Sequence, residues 1–212
     1  MGALSCNNGL RFNLLTTGSD MSLLSRSTIV RFMLLLALAA SHVPAHSAVP
    51  NAGANAEETM AQVESQAAAG HKNILLVFGA SWCVNCRLFD KFVADPAIHP
   101  ILDKIFVFAD LDTGELANDK RHANLPGGQK LMASLGGKEA GYPYIAMLDA
   151  KGSLIANSLR PVGQGGGENI GYPYAPNEVD WFMEMLKKAA PSLSIEDAAT
   201  IRNWLTAHGS KH

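Results

Sequence analysis

The sequence predicts an α/β fold in which a mixed β-sheet is flanked by helices on both faces. Two continuous apolar runs, "NILLVFGA" (73–80) and "KIFVFADLD" (104–112), are typical of strands buried on both faces. A helical pattern lies between them, and "PYIAMLDAKGSLIANS" (143–158) has two apolar runs around a turn, which indicates a β-hairpin. A β-α-β unit followed by a hairpin requires both parallel and antiparallel strand pairing.

The other predicted elements each have a local signal, either apolar residues at helical spacing or residues that favour turns. The helix after the first strand is expected to end at Asp95-Pro96, because the residue before a proline disfavours helical geometry. Ser194 is expected to cap the last helix, with Asp197 as its capping-box partner and an apolar stripe that starts at Ile195. In chain order, the elements are a helix over 57–69, a helix over 84–94, a polar connection over 113–130, a short helix near 131–135, a glycine-rich loop over 160–178, a helix over 178–190 and the last helix.

The first 47 residues are predicted to be an N-terminal extension and a secretory signal peptide. Arg26 and Arg31 precede an apolar core over 32–40, and small residues follow that core, as in signal peptides. The core is about nine residues long, whereas a membrane-spanning helix needs about 20. We therefore expect a protein that is periplasmic or otherwise exported, with no stable membrane span after signal removal. Met21 is a more usual start for such a signal than Met1.

The remaining chain is divided into three parts. These are a flexible leader over 48–56, one domain over 57–190 and a helical extension over 191–212. The formal net charge of the 212-residue chain is −2, and the sequence contains no run of basic residues. Nucleic acid is therefore not expected as a partner.

Only two cysteines, Cys83 and Cys86, remain after the predicted signal. One pair is too few for a structural zinc site, which needs about four ligands, so no metal is expected. A purely structural disulfide is also disfavoured, because the loop it closes is very short. A reactive dithiol has a mechanism: Cys83 is expected at a helix N-terminus, where unpaired N–H groups stabilise a thiolate. That thiolate attacks a substrate disulfide, and Cys86, one turn on and nearer the core, releases the product.

The segment "FGASWCVNCRLFD", the following "DLD" and "GYPYIAMLDAKG" resemble the thioredoxin superfamily. Within it, the chain is most similar to the exported thioredoxin-like domain of bacterial thiol:disulfide interchange reductases. The resemblance covers residues 57–190 and implies a thioredoxin-like sheet with an extra C-terminal helix. It implies that Cys83 is the attacking cysteine, that Cys86 is the resolving cysteine, and that Trp82 shields the pair.

The resemblance also implies a substrate-binding groove next to the dithiol. Pro143 matches the cis-proline of the family, and Tyr142 before it would offer backbone groups to an extended substrate. Gly163 would correspond to a loop glycine that flanks the groove. Pro143 has a simpler explanation as well, because a proline that opens a strand leaves the hydrogen bonds of that strand intact.

The chain departs from thioredoxins in the charged groups around the dithiol. Val77 stands where thioredoxins have a buried aspartate, and Phe108 stands where they have a lysine. The usual carboxylate that exchanges protons with the resolving thiol is therefore missing from its position.

Asp90 is the predicted replacement for that carboxylate. It follows Cys86 by four residues on one helix, so the two side chains share a face. The interchange reductases carry an acidic residue at this place. The alternative, a solvated acid paired with Arg87 or with the lysine after it, stays open. Asp110 and Asp112, at the end of a strand, are weaker candidates.

The sequence thus predicts an exported enzyme that reduces or exchanges protein disulfides. The resemblance favours the reductive direction and implies electrons from a partner dithiol, without a bound cofactor. A disulfide oxidant or isomerase, and a thioredoxin-fold binding module without catalysis, remain alternatives. The role of the long connections over 112–140 and 160–176 is not predicted.

Overall fold

The computed structural model describes residues 55–163 and 166–209. The predicted signal peptide and the first seven residues of the predicted leader lie outside them. The helices among the described residues are α1 (Ala56–Gly70), α2 (Val84–Ala94), α3 (His99–Asp103), α4 (Gly128–Ser134), α5 (Pro176–Ala189) and α6 (Ile195–Ala207). The strands are β1 (Asn73–Gly79), β2 (Phe106–Asp112), β3 (Tyr144–Leu148), β4 (Leu154–Asn157), β5 (Leu159–Val162) and β6 (Gly166–Asn169).

Four of these strands form the central sheet, in the order β2-β1-β3-β4. β1 and β2 are parallel and are joined through α2 and α3, whereas β3 is antiparallel to both β1 and β4. The predicted mixed sheet with helices on both faces is therefore confirmed, and so is the additional C-terminal helix.

Both faces of β1 are buried, which explains its continuous apolar run. Leu75 and Val77 face a large core cluster shared with α2, α3, α5 and α6. Ile74, Leu76 and Phe78 face a second cluster, shared with α1 and α4. Since side chains alternate between the faces of a strand, a strand between two helical layers needs an apolar residue at every position. The buried strand β1 thus leads directly into the segment that carries the cysteine pair.

The last helix, α6, is part of the large cluster. Its Ile201 and Leu205 are fully buried, and the ring of Trp204 lies 5.2 Å from that of Phe92. The Ser194 hydroxyl oxygen accepts the amide of Asp197, as the sequence predicts. The predicted stripe is wrong at Ile195, which is 90% exposed. At about 100° per residue, Ile195 lies roughly 120° around the helix from Ile201 and cannot face the same core.

The glycine-rich stretch predicted as a loop contains a second, two-stranded sheet instead. β5 and β6 pair antiparallel, from Leu159 opposite Asn169 to Val162 opposite Gly166. A Cβ on Gly167 would lie 2.8 Å from the Leu159 side chain, so glycine is what allows this close approach of the strands. Glycine is rare in strands, so the sequence pattern indicates a loop where the chain in fact forms a strand pair. The short helix α3 was also not predicted.

Candidate active site

The cysteine pair occupies the N-terminus of α2, directly after β1. Cys83 is the N-cap residue of α2, and its Sγ accepts the amide hydrogen of Cys86 over 3.1 Å. Cys86 lies at the third helical position, where an N-cap side chain ordinarily finds an amide donor. The two cysteines form a disulfide with their Cα atoms 5.3 Å apart. In the reduced protein the same amide and the helix dipole would stabilise a thiolate on Cys83.

Burial does not distinguish the two cysteines, contrary to the expectation that Cys86 lies nearer the core. Cys83 is 4% exposed and Cys86 is 7% exposed. Their surroundings differ instead, because Cys86 lines a cavity of about 180 Å³ together with charged side chains. Gly79 opposes Cys86 from the end of β1, and a Cβ there would lie 3.1 Å from the Cys86 sulfur.

Trp82 and Tyr142 form an aromatic wall beside the disulfide. Their rings meet edge to face, with centroids 6.2 Å apart, and the Tyr142 ring packs against the cysteine pair. The Trp82 indole donates to the Gly114 carbonyl over 2.8 Å, and the Tyr142 hydroxyl accepts from the Gln129 amide over 2.9 Å. A Cβ on Gly114 would lie 2.2 Å from the Tyr142 ring, so the wall requires a glycine there.

Pro143 follows a cis peptide bond to Tyr142, the geometry that the resemblance implies. The Asn169 side chain, at the end of β6, donates to the carbonyls of Gly141 and Pro143 over 2.7 and 3.0 Å. The hairpin that the sequence did not reveal thus binds the chain on both sides of Tyr142.

The glycine next to Pro143 is Gly171 and not the predicted Gly163. A Cβ on Gly171 would lie 3.6 Å from Cδ of Pro143, and its φ of 55° favours glycine. Gly163 lies in the turn after β5, where a Cβ would meet nothing within 4 Å. The prediction failed because the fold of the 160–178 segment was predicted wrongly.

Three carboxyl groups line the cavity next to Cys86: Asp90 from α2, and Asp110 and Asp112 from β2. Burial raises the pKa of Asp90, and Asp112 raises it further, although Arg87 opposes both effects. Burial, followed by repulsion from Asp90 and Asp112, raises the pKa of Asp110 to about 7. Burial and Glu115 raise the pKa of Asp112. By their accessible surface all three residues are exposed to solvent, although each also lines the cavity.

Asp110 lies beside position 77, where thioredoxins have a buried aspartate and this chain has valine. In the parallel register of β1 and β2, Asp110 is the direct partner of Val77, and both residues line the cavity. Neighbouring residues in register point to the same face of a sheet. The carboxyl group therefore reaches the same cavity from the adjacent strand.

Among the described residues there is no group of three or more His, Cys, Asp or Glu side chains arranged to hold a metal ion. The helices within the same residues are too short or too polar to cross a bilayer.

The sequence matches one family model and has distant similarity to several solved structures. A family model described as thioredoxin-like matches residues 54–150. The disulphide isomerase from Xylella fastidiosa Temecula1 has 19% identity and a TM-score of 0.42, over 72% of this chain and 89% of that chain. The DsbH oxidoreductase has 20% identity and a TM-score of 0.39, over 62% of this chain and 81% of that chain. The oxidised C-terminal domain of Neisseria meningitidis DsbD has 19% identity and a TM-score of 0.34, over 52% of this chain and 85% of that chain. No curated protein matches the sequence.

Proposed function

We propose that this chain, whose residues 54–150 match a thioredoxin-like family model, is an exported thiol:disulfide oxidoreductase of the thioredoxin superfamily that acts on protein disulfides. The observation that carries the proposal is the Cys83–Cys86 disulfide at the N-terminus of α2, with the Cys86 amide on the Cys83 sulfur. A sulfur in this position loses its proton readily, which is what a nucleophilic thiol requires.

The reaction consists of two exchanges. The thiolate of reduced Cys83 attacks one sulfur of a client disulfide, forms a mixed disulfide and expels one client thiolate. Cys86 then gives up its proton and attacks the Cys83 sulfur, which reforms the internal disulfide and expels the second client thiolate. Two electrons pass to the client, and a partner dithiol restores them by the same chemistry in reverse. No bound cofactor is needed for this cycle.

The groove around the disulfide would hold the client. Trp82 is 51% exposed and Val84 is 61% exposed, so an apolar surface borders the dithiol. Tyr142 packs against both Trp82 and the cysteine pair, Pro143 follows it through a cis peptide bond, and Asn169 restrains the carbonyls of the residues flanking Tyr142. We assign Trp82, Tyr142 and Pro143 to substrate binding, with the backbone of Tyr142 pairing with an extended client segment.

Asp110 is the group proposed to accept the proton of Cys86. It shares the cavity with the resolving cysteine, and its raised pKa of about 7 matches proton exchange near neutral pH. Asp90, predicted from the sequence, lies in the same cavity, and its charge helps to raise the pKa of Asp110.

We expect Asp110→Asn to slow the attack of Cys86 on the mixed disulfide by roughly 100-fold at pH 7, the lower end of what a positioned general base contributes. Only the ionised carboxylate accepts a proton, so the wild-type rate should rise with pH through about 7, and this rise should be missing in Asp110→Asn. Stopped-flow reduction of a model disulfide from pH 5 to 9 measures both effects. Asp90→Asn is the matched comparison; if it alone removes the rise, the proton acceptor is Asp90.

The reduction potential of the Cys83–Cys86 pair tests the direction of the reaction. Equilibration against glutathione or dithiothreitol buffers should give a value near that of thioredoxin, about −270 mV. A value near −120 mV would instead identify an oxidant. A pair that does not titrate would show that the catalytic proposal itself is wrong and would leave a binding module.

A further inference from the structure

Glu115, in the connection between β2 and α4, is a buried carboxylate whose side-chain hydrogen bonds, among the described residues, go to Ser81. It is 7% exposed, and one of its oxygens accepts the backbone amide of Ser81. The other oxygen accepts the Ser81 hydroxyl over 2.8 Å. A carboxylate is costly to bury unless its oxygens are hydrogen-bonded, and both oxygens here are committed to Ser81.

The backbone of Glu115 is itself held in place. Its amide donates to the Asn124 side-chain oxygen over 2.7 Å, and the Asn124 side-chain nitrogen donates to the Glu115 carbonyl over 3.1 Å. One residue further on, the Leu125 amide donates to the Asp112 carbonyl at the end of β2 over 2.7 Å. The Glu115 carboxylate is therefore an acceptor at a fixed place relative to the sheet.

Ser81 belongs to the short segment that joins β1 to the cysteine pair. Its carbonyl accepts from the Arg87 guanidinium over 3.0 Å, and the next side chain, Trp82, donates to the Gly114 carbonyl. Gly114 and Glu115 together thus bind both residues that precede Cys83. Among the described residues, Glu115 is the carboxylate of the connection after β2 that binds this segment, through Ser81.

We propose that Glu115 is a positioning residue for the dithiol: it holds the Ser81–Trp82 segment so that the Cys83 sulfur stays on the Cys86 amide at the start of α2. This inference rests on the proposed function, because it concerns the reactivity of the same dithiol. It also assigns a role to the long connection after β2: the connection sets the geometry from which Cys83 attacks.

The charge of Glu115 makes the proposal testable. A negative charge near Cys83 opposes thiolate formation, so an electrostatic role predicts that removing the charge lowers the pKa of the Cys83 thiol. A positioning role predicts the opposite for Glu115→Ala, since the sulfur would lose its alignment with the helix N-terminus. Glu115→Gln separates the two, because its amide can accept from the Ser81 N–H and donate to the Ser81 hydroxyl without carrying a charge.

The experiment titrates the reduced full-length protein by thiolate absorbance at 240 nm and measures initial rates of insulin reduction. In Glu115→Ala we expect the pKa of the Cys83 thiol to rise by about 0.5–1 unit and the rate to fall by roughly tenfold, the size of a lost N-terminal helix contact. Glu115→Gln should stay within about threefold of the wild-type rate. Glu184→Ala, an exposed glutamate on α5, is the matched control and should change neither quantity.

Equal losses of rate in Glu115→Gln and Glu115→Ala, or a lower thiol pKa in Glu115→Ala, would overturn the proposal. If Glu115→Ala does not fold, Ser81→Ala decides, because it removes one of the two bonds to the carboxylate: a raised thiol pKa supports the proposal, and an unchanged one overturns it. A wild-type protein without a reactive thiol would refute the proposed function, which is a separate result.

Discussion

Cys86→Ser is expected to trap the protein on its clients as a stable mixed disulfide and to lose nearly all turnover. Cys83 can still attack, but a serine hydroxyl does not ionise near neutral pH and cannot displace the client sulfur. Incubation with oxidised insulin, followed by non-reducing electrophoresis, should show a new band that dithiothreitol removes. The same variant, applied to exported proteins, identifies the clients by mass spectrometry of the trapped species.

Cys83→Ser is the matched variant and should give neither turnover nor a mixed disulfide. The comparison matters because the two cysteines are almost equally buried, so their exposure does not identify the attacking sulfur. A trapped species in Cys83→Ser but not in Cys86→Ser would reverse the assigned roles. Wild-type turnover in both variants would show that the pair is not catalytic.

Phe92→Ala is expected to lower the free energy of unfolding by about 3–5 kcal/mol, the usual cost of truncating a buried aromatic residue. Phe92 is fully buried, with its ring 5.7 Å from Phe89, 5.7 Å from Phe182 and 5.2 Å from Trp204. It therefore joins the helix that carries the dithiol to both C-terminal helices. Urea denaturation followed by circular dichroism measures the loss.

Two further variants interpret that loss. Phe92→Leu should cost less, roughly 1–2 kcal/mol, because it keeps much of the apolar volume. Ile195→Ala removes an apolar side chain that is 90% exposed and should change the unfolding free energy by no more than about 0.5 kcal/mol. A loss below about 1 kcal/mol in Phe92→Ala would contradict the packing of α6 against α2.

The sequence alone was sufficient wherever a signal is local. The cysteine spacing put Cys83 at the N-cap of α2, because an N-cap side chain meets the amide three residues later by chain geometry alone. The strands β1 and β3 were found because they are buried on both faces, which leaves an unbroken apolar run. The N-cap of α6 at Ser194 is likewise predicted by the residues next to it in the sequence.

Contacts between distant segments were out of reach of such reasoning. Helical spacing in the sequence favours Asp90 as the proton-exchanging group for Cys86. The strand pairing favours Asp110 instead, because its register opposite Val77 brings it into the cavity that Cys86 lines. Asn169 and Gly171 adjoin Pro143 because β5 and β6 form a hairpin whose glycine content resembles a loop. Glu115 gave no signal at all, since its partner Ser81 is 34 residues earlier.

The sequence by itself therefore determined the class of fold, the dithiol and the helix on which it lies, all of which follow from residues within a few positions of one another. The tertiary structure alone decided which carboxylates, glycines and amides surround that dithiol. The physical reason is that proton exchange and substrate binding depend on distances across the sheet, and strand pairing sets those distances.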